Sequence, residues 1–366
     1  MRVAEEEEKH AVEAIRSGDE AAFVALAERY RRQLHVHCYR MLGSFDEAED
    51  VVQETLLRAW RARASFEGRS LFRTWLYSIA TNASLNALER SRRRVLIADV
   101  PPTDPGRELA PDERPDLSPA PADLAWIQPY PDRLLDVAAP GEAEPEAVAV
   151  SRETIELAFL AAIQHLPPRQ RAVLLLREVL GWSAKQTAAL LETSVASVNS
   201  SLQRARSTMR ARLPSRPLEW TSATAPTEEE RAVLRRYIDA HDRADVARFT
   251  ALLAEDARQA MPPHPLRYQG RDALTTLFAN FIRPDAVHYP GPLRLVPTAA
   301  NRQPAAATFL RRREGWWLLG LNVLDVEARR ITGIVTFGVE LLGSFGLPAE
   351  PVGPTDEFSA DPGRSR

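Results

Sequence analysis

Apolar residues recur three or four positions apart along the first part of the chain. Phe23, Leu26, Ala27, Tyr30 and Leu34 share one helical face by that spacing. Ser17 with Glu20 three positions on has the form of a capping box and predicts the start of this helix. Gly43 predicts its end, and Ser44 with Glu47 opens the next helix. In that helix, "FDEAEDVVQETLLRAW", the residues Val51, Val52, Leu56 and Trp60 supply a buried side. A third helix spans "SLFRTWLYSIATNASLNALERSRRR", with Leu71, Trp75, Tyr77, Ile79 and Leu85 as core and a run of arginines at its end.

Helical spacing resumes after residue 150. One helix runs from Thr154 to His165 and stops at Pro167-Pro168; "RQRAVLLLREVLG" forms another and ends at Gly181. Ser183 with Gln186 forms a capping box for the short helix "AKQTAALL". The turn "ETS" follows, and Ser194 caps "VASVNSSLQRARSTMRARL". Two helices joined by a turn of about four residues, the second strongly basic, are the signature of a helix-turn-helix.

From residue 228 the pattern changes. A helix capped by Thr227 and Glu230 gives way to the apolar runs "AAATFLR", "GWWLLGLNVLDVE" and "RRITGIVTFGV", which suit strands. Helices then strands, without βαβ alternation, predict an α+β unit. The fold expected is therefore multidomain: two all-α domains, the second with a helix-turn-helix, and a C-terminal α+β domain.

Charge sharpens the boundaries. The net charge of −3 averages over segments that differ. Residues 95–150 hold about twelve acids against three bases, and about eleven of the 28 prolines. Proline fixes φ and removes a helix donor, so this stretch is expected to be a linker without regular packing. Residues 151–216 swing to about +6. The units are 10–94, the acidic linker 95–150, 151–213, 228–347 and a disordered tail 348–366. Cys38 is the one cysteine, which excludes an internal disulfide and fits a cytoplasmic protein. The N-terminus lacks the apolar core of a secretory signal, and no apolar run nears the ~20 residues that cross a bilayer. No membrane, metal or cofactor is expected as a partner.

The basic helix carries the clearest chemistry. Its arginines at 204, 206, 210 and 212 come with no acid between Ser194 and Leu213. Arginine matches phosphate oxygens bidentately. In a major groove the helix presents Ser197, Asn199, Ser200 and Gln203 to base edges, with Arg204 and Arg206 placed for bases or backbone. Asp50, Gln53 and Glu54 sit at i, i+3 and i+4, one face of their helix. On pattern alone a solvated face is the simpler reading, and phosphates would repel it. Asn82 and Asn86 lie one turn apart, with Arg90 to Arg94 beyond; amides and cations near aromatic residues suit melted DNA.

Together and in order, "FDEAEDVVQETLLRAW", "LFRTWLYSIATNASLNALERSRRR" and "LPPRQRAVLLLREVLGWSAKQTAALLETSVASVNSSLQRAR" resemble the extracytoplasmic-function (group 4) sigma factors of bacterial RNA polymerase, over roughly residues 10–213. That resemblance implies that Asp50, Gln53 and Glu54 contact the β′ clamp helices of core polymerase. It implies that the segment from Arg73 to Arg94 melts and reads the −10 element, with Arg73, Asn82, Asn86 and Arg90 on DNA. The basic helix becomes the −35 reader, in a domain that also meets the β-flap. Gln186 departs from the family, which often has glutamate there; either residue serves as a cap.

The linker island "LAWIQPYPDRLLD" resembles that of sigma factors with a C-terminal SnoaL-like extension, whose linker threads toward the active-site and RNA-exit channels. "EEERAVLRRYIDAHDRADVARFTALLAEDARQAMPPHPLRYQGRDALTTLF" looks like the helical start of such a cone. Asp239, His241, Asp256 and His264 are its candidate cavity residues, where a small-molecule ligand could sit. Nothing in the sequence makes them converge on a catalytic site, and fold alone does not imply activity. The expectation is a sigma factor with a fused regulatory domain and no enzymatic activity. Two rivals stay open: a helix-turn-helix regulator independent of polymerase, and a bifunctional protein with catalysis in the SnoaL-like domain.

Overall fold

A computed structural model describes residues 2–66, 71–90, 101–103, 126–135, 155–213, 225–286, 289–339 and 342–347. The chain divides into two compact units: Met1–Leu96 with Leu124–Thr224, and Ile97–Asp123 with Ala225–Arg366.

The first unit is helical. It opens with α1 (Arg2–Arg16), α2 (Glu20–Leu42), α3 (Phe45–Ala62) and α4 (Phe72–Arg90). Ser17 does not cap α2. Its hydroxyl donates to the Glu13 carbonyl at 3.1 Å and closes α1, while Asp19 accepts from the Ala22 N–H at 2.9 Å. The chain reverses between them at Gly18, φ +100°. Gly43 ends α2 in the left-handed region, φ +70°, and Ser44 caps α3. Phe23, Leu26, Ala27 and Leu34 are buried as their spacing predicts.

Leu71 is a correction: it is 59 % exposed. The helix begins one residue later, so Phe72 takes the inward position, with its ring 5.9 Å from Phe66 and 5.6 Å from Trp75. Trp75, Ile79 and Leu85 are half-buried and Tyr77 is buried. The arginines from 91 to 94 lie outside the described residues.

The second helical domain contains α5 (Leu157–Gln164), α6 (Pro168–Leu174) with a π turn (Leu175–Val179), α7 (Ala184–Leu190) and α8 (Val195–Arg212). Pro168 occupies the first turn of α6, where its missing N–H costs nothing. Both halves of the Ser183–Gln186 capping box form.

The second unit adds α9 (Glu228–Asp242), α10 (Val246–Leu252), β1 (Leu253–Ala260), β2 (Arg267–Gln269), α11 (Arg271–Ile282), β3 (Leu293–Ala300), β4 (Gln303–Arg312), β5 (Gly315–Glu327) and β6 (Arg330–Gly338). The sheet order is β2-β1-β6-β5-β4-β3, and only the β1–β6 pair is parallel. The helices cover one face. Val233, Tyr237, Phe249, Leu274 and Phe278 meet Leu295, Ala306, Leu324 and Ile334 there, and the Phe249 and Phe278 rings stack at 4.0 Å.

The 95–150 stretch is not uniformly without packing. Thr103 lies along the edge strand β2: its N–H donates to the Arg267 carbonyl at 2.5 Å, and the Arg267 N–H donates to its hydroxyl at 3.2 Å. Residues 126–135 pack in the first unit, with Trp126, Ile127 and Tyr130 buried. Apolar side chains in this island outweigh the proline and acid content around them.

Candidate nucleic-acid interface

Helix α8 has one apolar stripe: Val198, Leu202, Ala205 and Met209 are buried. Everything the sequence assigned to DNA lies off that stripe. Ser197, Asn199, Ser200, Gln203, Arg204 and Arg206 are all exposed. The turn before it uses Glu192 at φ +50°, and Ser194 accepts from the Ser197 N–H at 3.1 Å. Two of the cations are tied down. Arg204 donates to Ser201 at 3.2 Å, and Arg206 pairs with Glu178 of the π turn at 2.7 Å. Arg206 is thereby drawn toward its own domain, and Arg204 keeps its guanidinium beside Ser201.

On α4, Asn82, Asn86 and Arg90 are exposed along one stripe, and Arg90 Nε donates to the Asn86 carbonyl at 3.1 Å. Arg73 does not share the stripe. It precedes Asn82 by two and a half turns, which places it on the far side of the helix. There it lies over the Tyr77 ring, 5.4 Å from the centroid.

On α3, Val51, Val52, Thr55 and Ala59 are buried, and the polar face is outward. Leu56 and Trp60 are half-buried, with Trp60 between the Phe23 ring at 5.3 Å and the Arg63 guanidinium at 4.1 Å. Asp50 and Gln53 are exposed; Glu54 accepts from Arg58 at 2.6 Å. Behind them sits Glu49, which the sequence reading missed. Partial burial pushes its carboxyl up, but hydrogen bonds from Arg31 and Gln53 and the Arg31 charge hold it below the usual carboxylate range. Gln53 Nε2 donates to Glu49 at 3.4 Å.

The linker island seats on the α2–α3 corner. The Gln128 N–H donates to the Gly43 carbonyl at 3.0 Å, and its own carbonyl accepts from Tyr39 at 2.8 Å. Its side chain accepts from Ser44 (2.7 Å) and the Asp46 N–H (3.1 Å), and donates to the Asp46 carboxylate (2.8 Å). Tyr130 shares a 3.0 Å hydrogen bond with His35 Nδ1, and Arg32 donates to the Leu135 carbonyl at 3.1 Å. Burial lowers His35 to about 4 despite Glu49 at 3.7 Å, so this ring is neutral at pH 7. Region 151–213 meets the same corner. Arg171 donates to the Met41 carbonyl, and Gln164 Nε2 lies 3.5 Å from the Arg40 carbonyl.

In the second unit the four candidate cavity residues do not gather. Asp239 faces outward between Arg243 and Arg248, each at 2.5 Å. His241 is enclosed by Tyr237, Phe249 and Phe278; burial lowers it to about 4, and Nδ1 bonds the Tyr237 carbonyl at 2.9 Å. Asp256 is exposed on β1, and His264 is half-buried in the loop after it. A different polar row crosses the sheet. Gln259 donates to Thr336 (3.2 Å), Thr336 to Asn322 (2.7 Å) and Asn322 to Thr308 (3.1 Å). Each stands two positions from a core residue, Ala257, Ile334, Leu324 or Ala306, and so shares the helix-covered face. For Thr308, Asn322 and Thr336 the signal was a polar residue inside an apolar strand run; Gln259 lies on β1, whose sequence does not read as a strand. Among the described residues no cluster of three or more His, Cys, Asp or Glu side chains could hold a metal.

Comparison with known proteins covers all three domains. Residues 26–94 match the Sigma-70 region 2 family, 156–209 the Sigma-70 region 4 family, and 234–334 the SnoaL-like domain. The ECF RNA polymerase sigma factor SigG of Mycobacterium tuberculosis is 44% identical over 336 residues, spanning 91% of this chain and 85% of that protein. The RNA polymerase sigma-H factor of Pseudomonas aeruginosa is 31% identical over 202 residues, 55% of this chain and 91% of its own. The crystal structure of the Mycobacterium tuberculosis extracytoplasmic function sigma factor SigJ is similar in fold. Its TM-score is 0.54 at 18% identity, covering 89% of this chain and 100% of that one.

Proposed function

Because the chain belongs to the extracytoplasmic-function sigma factors of RNA polymerase and carries a C-terminal SnoaL-like domain, we propose a division of its work among the surfaces described above. A sigma factor binds core RNA polymerase and directs initiation at particular promoters in the cytoplasm. In this chain α3 grips the β′ clamp helices through Asp50, Gln53 and Glu54, and the region 4 domain meets the β-flap. Helix α4 holds the melted −10 strand through Asn82, Asn86 and Arg90. Helix α8 reads the −35 duplex, with Ser197, Asn199, Ser200 and Gln203 at base edges and Arg204 at base or phosphate.

The observation that supports this reading is the separation of polar faces from buried stripes. The α4 stripe from Asn82 to Arg90 and the α8 face from Ser197 to Arg204 are both open. The acidic α3 face suits a protein partner, since DNA phosphates would repel it. The SnoaL-like domain is assigned a regulatory role without catalysis, because its four candidate residues do not gather: Asp239 is held in ion pairs, His241 is enclosed by aromatic rings, Asp256 is exposed and His264 lies in a loop. A small molecule reaching its polar row would act only by binding two states of the chain with different affinity.

The test is transcription in vitro from a genomic library with core enzyme, comparing the full chain with residues 1–216. Promoter-specific products that require both protein and core are expected. Sequence-specific duplex binding without core, and no products with it, would overturn the assignment.

A further inference from the structure

The turn between β4 and β5 reads "LRRREGWW", from Leu310 to Trp317. Arg311, Arg312 and Arg313 are exposed, and Glu314 is the one acid in the run. Among the described residues none of these three arginines is ion-paired. The contrast lies within the same unit, where Arg231, Arg235, Arg243, Arg248, Arg283 and Arg329 each lie within 3.3 Å of a carboxylate. Trp317 is 49 % exposed. The register sets Arg311 opposite Trp316 and Leu310 opposite Trp317, and successive strand residues point to opposite faces. Each face of the tip therefore carries one arginine–indole pair. The Arg311 guanidinium lies 5.5 Å from the Trp316 centroid, and the Arg312 guanidinium 5.9 Å from that of Trp317.

Such a pair holds a guanidinium in place without using its N–H donors. Ordering long side chains is part of the cost of binding, and here the rings order two of them beforehand. Three arginines against one acid select an anionic partner, and the planar fork of arginine suits phosphate. The exposed indole narrows the choice. A peptide of aspartate and glutamate has no ring to lay on it, and duplex DNA hides the faces of its bases. A single strand offers phosphates in succession and free base faces together. Resting on the promoter reading above, which supplies a melted strand, we propose that the β4–β5 tip is a site for single-stranded DNA. Arg311, Arg312 and Arg313 hold its phosphates, and the open face of Trp317 stacks on an unpaired base. The SnoaL-like domain then adds a contact to DNA that neither α4 nor α8 provides.

The test uses the full-length chain and a fluorescein-labelled oligothymidine of about 16 nucleotides, followed by fluorescence anisotropy over a salt series. The variants are Trp317→Ala, Trp317→Phe and the double change Arg312→Ala with Arg313→Ala. A 5-bromodeoxyuridine form of the same oligonucleotide is cross-linked by light to the unaltered chain, and the attached residues are located by mass spectrometry. Oligouridine of equal length and polyglutamate serve as competitors. Arg312 and Trp317 also steady the hairpin itself, so thermal melting of each variant separates a lost contact from a lost fold.

Trp317→Ala should weaken binding about tenfold, the loss of one stacked base, and Trp317→Phe should restore most of it. The double arginine variant should lower the slope of log affinity against log salt by about 1.4, at ~0.7 for each phosphate contact. Cross-links should include Trp317, and that result decides the matter if a variant melts early. Cross-links confined to the Asn82–Arg90 stripe of α4 would overturn the proposal, as would wild-type affinity and salt slope in every variant. Tighter binding of oligouridine would overturn the choice of DNA. Displacement by polyglutamate at equal charge would overturn the stacking. Neither polymerase nor promoter enters the assay, so a chain that fails to direct initiation loses the promoter reading and leaves this measurement standing.

Discussion

His35, His37 and His241 are three histidines that the fold keeps neutral. Burial lowers them to about 4, about 3 and about 4. Each unfolds to an ordinary value near 6.5, so the unfolded chain binds more protons below that pH. Stability is fully present above about pH 6.5 and is lost as pH falls toward 4, on the order of 3 kcal/mol per residue. Thermal melting from pH 7.5 to 4.5 should show a fall that His35→Gln reduces; a flat profile would reject the burial account. A second prediction at this scale concerns Arg204→Ala. Loss of a base or phosphate contact by one arginine costs about 1–3 kcal/mol. Transcription that depends on the −35 element should drop roughly tenfold, and an identical footprint would refute the contact. Single residues were also where sequence was least informative. Ser17 and Asp19 have equivalent capping chemistry, and only the turn at Gly18 selects Asp19. Arg73 and Asn82 looked like one site until helical geometry set them on opposite sides.

Elements were more legible when their ends carried local chemistry. Ser44, Ser183, Ser194 and Thr227 all cap as their spacing predicts, since a capping bond needs only residues within one turn. The missed strands have the opposite origin. β1 reads "LAEDARQA", made mostly of helix formers, and its pairing with β2 and β6 decides its conformation. β3 contains Pro297, which an edge strand tolerates. At this scale the prediction belongs to α3. Asp50→Lys with Glu54→Lys reverses the outward charge while leaving Val51, Val52 and Ala59 in place. Core polymerase retention in a pull-down should fall at least tenfold with helicity unchanged; equal retention would remove α3 as the grip.

At the level of the whole chain, sequence supplied the order of domains and their family likeness, but not the docking of the linker. Proline and acid content describe how a segment behaves alone. The seat for Gln128 and Tyr130 is assembled from α2 and α3, and becomes visible only after those helices have packed. The SnoaL-like domain makes its prediction here. Removing residues 217–366 should change promoter output in vitro at limiting protein concentration. Equal output at every concentration would leave the domain without a regulatory role.

Thr103 gives the chain division an unexpected seam. Its pairing with Arg267 caps one position on the free edge of β2 with a residue encoded far upstream of the SnoaL-like domain. A fusion protein that borrows this domain from residue 225 onward leaves that edge bare, open to strand addition by a second copy. An engineer who wants to keep that contact has to include Thr103, and so must carry the linker and region 4 along or splice around them. The natural unit of exchange is therefore larger than the domain.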